Sequence, residues 1–191
     1  MNRRSAKATK KKILEAAKNV FAEYGYSEAS MRFIALAAGI SVGGIYLHFK
    51  NKEDLYLTFI KDWMNKLNDR TQEAMLKIDN PQEAITAFIT ISIDFATRHK
   101  EVIILQGREL GFSFGIELKR DFFRERRRRI AEIIRRGIEI GVFRTCDADA
   151  ASKVIFNMLR GFIVSMLIDE EALFAPEECV SLVLHGLIKE G

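Results

Sequence analysis

The sequence predicts an all-α protein of about nine helices, and three observations carry that expectation. Only two prolines, Pro81 and Pro176, punctuate 191 residues. Apolar residues recur at spacings of three and four through long stretches, the period of a helix with one buried face. No convincing strand run or internal repeat interrupts them. With 48% hydrophobic residues, the chain can build a sizeable core, either as one large domain or as a small one joined to a larger one.

The elements follow in order. Ile13, Ala17, Val20, Phe21 and Tyr24 make a stripe over about Lys10 to Tyr24, and Gly25 stands where a C-terminal cap belongs. Ser30 is placed to cap a short second helix through Ala38, Gly39 permits a tight turn, and Ser41 can cap a third helix from Val42 to Phe49. A long helix begins near Lys52, with Glu53 and Asp54 at its positive N-terminal end. Pro81 opens a fifth, whose apolar set is Ile85, Phe88, Ile89 and Phe95. A sixth covers about Glu101 to Glu109, and "GFSFG", Gly111 to Gly115, reads as a loop. A charged seventh helix runs from Ile116 to Ile140 and is ended by Gly141, and two more span Ala148 to Ile168 and Pro176 to Lys189.

Charge is unevenly spread. Residues 1–52 hold ten Lys/Arg and three Asp/Glu, or +7; residues 53–191 hold twenty and twenty-three, or −3, which sums to the net +4. A basic front on a near-neutral body suits nucleic acid, although anionic lipid would attract it too. Lys10, Lys11 and Lys12 are expected at the start of the first helix, where cations oppose the macrodipole. Either phosphate lies nearby or the run is a solvated face. Cys146 and Cys179 are too few for a disulfide framework, and the start "MNRRSAKATKKK" leads into no apolar signal region, so the expected location is the cytoplasm. The apolar run from Val154 to Ile168 is broken by Asn157 and Arg160 and is shorter than the ~20 residues of a bilayer span, which makes it a buried helix. No membrane partner is expected.

The glycines Gly43 and Gly44 open the third helix at a propensity cost of up to about 1 kcal/mol each. Helix, short turn, helix is the layout of a helix-turn-helix, in which such a start lets backbone N–H groups approach phosphate. Close packing between helices is the alternative reason for them. Tyr46, His48, Lys50, Lys52 and Arg32 surround the pair with donors able to grip phosphate or base edges.

Lys11 to Ile60 resembles the N-terminal domain of the TetR/AcrR family of bacterial transcriptional regulators. The resemblance rests on F-x-x-x-G-Y at Phe21 to Tyr26, on "IALAAGIS", and on "IYLHFKNKEDL". It implies a helix-turn-helix DNA-binding domain over residues 1–52 and an effector-binding and dimerisation domain over 53–191. It also implies DNA contacts from Ser30, Arg32, Ser41, Val42, Gly43, Gly44, Tyr46, His48 and Lys52. Val42 stands where the family often has a polar or basic residue; it can meet a thymine methyl but cannot hydrogen-bond a base, so specificity would lean on Arg32 and on DNA shape.

The resemblance further implies a cytoplasmic homodimer on a pseudo-palindromic double-stranded operator, most simply a repressor released by a small hydrophobic effector such as a fatty acyl compound. For the dimer interface the sequence offers Ile155, Met158, Phe162, Met166, Leu182, Val183 and Gly186, any of which also suits a core. For the effector it offers aromatic walls at Trp63, Phe88, Phe95, Phe112, Phe114 and Phe123, with the polar residues Arg127 and Asn157. On the stripe Phe123, Ile130, Ile134, Ile138, position 127 turns partly inward, or Arg126 does if the register is one residue off. A buried arginine needs an anion. That anion is either a ligand carboxylate or phosphate, or an internal acid such as Glu109 or Asp94.

Two rival classes compete with this reading. A protein partner in place of the small molecule keeps the helix-turn-helix. An all-α enzyme is disfavoured: His48, His99 and His185 are scattered, neither cysteine has metal-ligand spacing, and Tyr46 with Lys50 makes a Y-x-x-x-K unsupported by a dinucleotide fingerprint. No cofactor and no metal are expected.

Overall fold

A computed structural model of the chain describes residues 3–108, 115–169 and 173–188. Among the described residues there are nine helices: α1 (Arg3–Glu28), α2 (Met31–Ala37), α3 (Val42–Tyr46), α4 (Lys52–Met75), α5 (Pro81–Arg98), α6 (Lys100–Arg108), α7 (Ile116–Glu139), α8 (Ala148–Ile168) and α9 (Pro176–Leu187). The all-α expectation holds. Two helices differ most from their expected lengths. α1 begins about two turns earlier than its apolar stripe, and α3 ends at Tyr46, after which the backbone N–H groups of His48 and Phe49 both turn back to the Ile45 carbonyl.

The caps explain why the helices start where they do. Asn80 accepts from the N–H groups of Gln82 at 2.8 Å and Glu83 at 3.4 Å, and Pro81 follows at the first helical position, where its missing N–H costs nothing. Asp147 does the same for α8, accepting from Asp149 and Ala150; the Ala150 and Asp149 N–H groups hold its carboxyl below the usual range. At the start of α9 the Ala175 N–H donates to the Glu178 carboxylate at 2.7 Å.

Close packing divides the chain into two units, 1–64 with 101–115, and 65–100 with 116–191. The first gathers Ile13, Ala17 and Phe21 of α1, Ile34 of α2, Ile45 and Phe49, and Leu55 and Tyr56 of α4. Phe21 and Tyr26 both meet the Tyr56 ring, at 5.2 and 5.1 Å between centroids, in edge-on geometry. Gly25 makes this possible: at φ 74°, ψ 176° it occupies a region open to glycine alone, and it breaks α1 so that Tyr26 folds back on the cluster. Tyr24, expected on the buried stripe, is instead 49% exposed, with its ring 6.2 Å from that of Phe33.

The second unit packs Ile85, Phe88 and Ile89 of α5 with Ile130 and Ile134 of α7, Ile155, Phe156 and Leu159 of α8, and Val183 and Leu187 of α9. Each such side chain contributes about 1.5–3 kcal/mol by leaving water. Phe143, just after α7, lies against Gly137 so closely that a Cβ there would sit 2.0 Å from its ring. The next residue, Arg144, donates its backbone N–H to the Leu187 carbonyl at 2.8 Å and its Nε to the Gly186 carbonyl, fastening the end of α9.

Candidate functional site

The turn between α2 and α3 is built from short-range choices. Ser30 caps α2 by accepting from the Phe33 N–H at 3.1 Å, and Ser41 caps α3 by accepting from the Gly44 N–H at 3.0 Å. Between them Gly39 adopts φ 61°, which an L side chain rarely tolerates. A Cβ on Gly43 would meet nothing within 4 Å, so packing inside the chain does not require that glycine. On Gly44 a Cβ would press on the Ser41 cap at 3.2 Å.

The outward face of this motif is rich in donors without partners. Arg32, Ser41, Val42, Gly43, Tyr46 and Lys50 are exposed, His48 and Ser30 are half-buried, and Tyr46 retains 52% of its surface. Among the described residues, the side chains of Arg32, Tyr46, His48 and Lys50 make no hydrogen bond or ion pair. Such a surface can take phosphate oxygens and base edges without first breaking internal bonds.

Lys52 departs from expectation. Its Nζ donates to the carbonyls of Tyr26 at 2.7 Å, Ser27 at 3.1 Å and Ala29 at 2.9 Å, and lies 4.5 Å from the centre of the Tyr26 ring. An ammonium has three donors, and all three are engaged. Its task is to tie the end of α1 to the start of α4, which removes it from the set of free phosphate donors. Lys10 to Lys12 also differ. Because α1 starts at Arg3, they lie beyond the first turn, where the macrodipole effect has faded. Lys10 instead sits 5.4 Å over the Phe49 ring, and the Lys12 Nζ is 3.3 Å from where a Cβ would project at Gly39, so both flank the turn.

In the second unit the inward arginine is Arg126, not Arg127: it is 3% exposed, while Arg127 is half-buried over the Phe156 ring at 5.7 Å. Among the described residues its partner is not an acid. The Nη2 donates to the Ser92 hydroxyl, which donates its own proton to the Phe88 carbonyl at 2.5 Å. The guanidinium lies 4.4 Å from the Phe88 ring centre and 5.6 Å from that of Phe122, and Nη1 is buried with no hydrogen-bond partner among the described residues. Burial, with a smaller push from Arg129, draws its pKa down to about 9, still cationic at neutral pH. Asp94, the described acid expected to serve it, holds Arg98 at 2.6 Å and Arg70 at 3.7 Å; Glu109 lies outside the described residues. A desolvated cation–π contact gives about 2 kcal/mol, against a penalty of several kcal/mol for burying the ion. Sequence reasoning missed Ser92 and Phe122. A serine four residues after Phe88 on an apolar helix face was the available signal.

Residues 13–58 match the family described as "Bacterial regulatory proteins, tetR family". The HTH-type transcriptional repressor KstR2 of Mycolicibacterium smegmatis is 30% identical over 149 residues, 75% of this chain and 72% of that protein. The chain belongs to the TetR family. A fatty acid metabolism regulator protein of Bacillus subtilis is 26% identical over 163 residues, 83% of this chain and 84% of that one. The solved structure of the transcriptional regulator FadR from Bacillus subtilis in complex with stearoyl-CoA shares the fold, with a TM-score of 0.76 and 22% identity over 92% of this chain and 97% of that one. This TetR-family protein is therefore a transcriptional regulator and not an enzyme.

The other residues expected to face an effector fall in different places in this TetR-family chain. Phe88 and Phe95 are buried in the second unit, where Phe123 meets Phe156 at 5.3 Å; Trp63 belongs to the first unit. Asn157 and Arg160 are exposed, not stranded on a buried face. Phe112 and Phe114 lie outside the described residues. Of the residues expected at a dimer interface, Ile155, Phe162, Met166 and Val183 are buried within the chain itself. Exposed on α8 instead is a neighbouring stripe, Val154 (62%), Gly161, Val164 and Ile168 (78%), with Met158 half-buried beside it, and on α9 Leu182 (69%) and Gly186. Among the described residues no helix is long and apolar enough to cross a membrane, and no group of three or more His, Cys, Asp and Glu could hold a metal ion.

Proposed function

We propose that this regulator is a dimeric repressor whose α2–turn–α3 motif binds a pseudo-palindromic operator, and whose second unit takes a small hydrophobic effector that releases the DNA. The unpartnered donors of Arg32, Tyr46, His48 and Lys50 on that motif carry the reading. In it, Ser30 and Ser41 hold the two helix starts, Gly43 and Gly44 admit phosphate to the N–H groups of α3, and Val42 meets a thymine methyl. Two copies place their recognition helices about 34 Å apart, in successive major grooves.

The exposed stripe of Val154, Val164 and Ile168 on α8, with Leu182 on α9, supports the dimer, since an apolar face of this kind is what a two-fold partner covers with its own copy. Fatty acyl compounds are the first effectors to try, given the relatives concerned with fatty acid metabolism and the stearoyl-CoA bound by one of them. Release requires that the effector bind the DNA-free conformation more tightly than the DNA-bound one.

Selection of bound duplexes from a random pool, followed by fluorescence anisotropy at two salt concentrations, tests the proposal. A selected palindrome, bound at least about 1,000-fold more tightly than random DNA and weakened as salt rises, is expected. For Tyr46→Ala the expected affinity is at least tenfold lower. Equal binding to every sequence would overturn the reading.

A further inference from the structure

We propose that Arg126 is the anchor for the anionic end, a carboxylate or a phosphate monoester, of an amphiphilic effector held in the second unit. The inference deepens the reading of this protein as an effector-released regulator and rests on it. It begins from how α7 distributes its arginines. Arg120, Arg124, Arg128, Arg129, Arg135 and Arg136 each have a carboxylate within 4 Å: Glu117, Asp121, Glu125 and Glu132, Glu125, Asp149 and Asp79 in turn. Arg126, the one buried deepest, has none among the described residues.

A charge taken out of water without an opposite charge is a configuration that folding alone does not favour, and replacing it with an apolar side chain is often neutral or stabilising. What surrounds it is also specific. Ser92 engages Nη2 as an acceptor only, because its proton goes to the Phe88 carbonyl, so it fixes the plane of the guanidinium without neutralising it. Nη1 keeps its N–H groups for an acceptor that the described chain does not supply. The rings against the guanidinium are those of Phe88 on α5 and Phe122 on α7. Arg127 and Arg160 likewise rest on rings, those of Phe156 and Phe123, and among the described residues neither is paired with an acid. An anion joined to an apolar chain satisfies both halves of that description. A neutral lipid satisfies one.

The test uses the full chain bound to its selected operator, with three probes kept below their critical micelle concentrations: palmitate, hexadecyl phosphate and hexadecanol. Binding is followed by calorimetry and by release of labelled DNA, for wild type, Arg126→Met and Arg126→Lys. At least one of the two anions is expected to bind wild type tenfold or more tightly than hexadecanol, and which of them does so identifies the source of the anion. Arg126→Met should erase that preference while leaving hexadecanol within threefold. Arg126→Lys, which keeps the charge, should retain a preference of threefold or more, and it carries the test if the methionine variant fails to fold. An anion preference that survives in Arg126→Met would overturn the inference, as would hexadecanol binding wild type as tightly as both anions. In either case operator binding and release remain readable, so the regulator reading stands or falls on those separately.

Discussion

The two units treat their cations in opposite ways. In the first, the half-buried Lys52 is fully engaged with three carbonyls, while Arg32 and Lys50 on the outer face make no internal bond through their side chains among the described residues. In the second, the exposed arginines of α7 are matched to acids, while the buried Arg126 meets none among the described residues and its Nη1 has no partner there. A surface that meets a polyanion keeps its donors outside and leaves them free. A site for a single anion keeps one donor inside.

The contrast extends to glycine. Gly137 is required by the chain's own packing, whereas Gly43 faces open space. The largest expected effect follows from this: Gly137→Ala forces a methyl into the Phe143 ring and should destabilise the second unit by about 3 kcal/mol, as overpacking does. Thermal denaturation followed by circular dichroism checks it. An unchanged melting temperature would mean that Phe143 and the end of α9 can move aside at little cost.

A smaller effect separates Lys52 from its neighbour. Lys52→Met leaves three carbonyls short of a donor and should cost about 1–3 kcal/mol of stability. Lys50→Ala should leave stability within about 0.5 kcal/mol, and it should lower DNA affinity and flatten its salt dependence by about one unit of slope for each phosphate no longer neutralised. Urea denaturation and anisotropy titrations at several salt concentrations read the two. If Lys52→Met proved harmless to folding but severe for DNA, the assignment of that lysine to the fold would be reversed.

Much of the first unit was legible because its instructions are local. Ser30, Gly39 and Ser41 act on atoms within three or four residues, so spacing alone places both caps and the turn. Lys52 escaped that logic, since its partners lie 23 to 26 residues earlier in the chain and only the fold brings them together. The second unit depends on register. A stripe defined by Phe123 and Ile130 leaves the inward angle between positions 126 and 127 undecided, and tertiary packing on Phe88 chose Arg126. The same one-position shift separates the buried Ile155 and Phe162 from the exposed Val154 and Gly161 on α8. Periodicity marked that helix as apolar, but it could not say which of two neighbouring stripes its own chain would cover.

Gly43→Ala tests most directly whether DNA approaches the open face of α3, because nothing inside the chain uses the space that its methyl would fill. Folding stability and operator affinity should be measured on the same preparation. Stability is expected to be unchanged or raised by up to about 1 kcal/mol, as for alanine replacing glycine in a helix, together with operator binding weakened at least tenfold. Unchanged operator affinity with intact stability would contradict this, because the open face of α3 would then not be where DNA approaches.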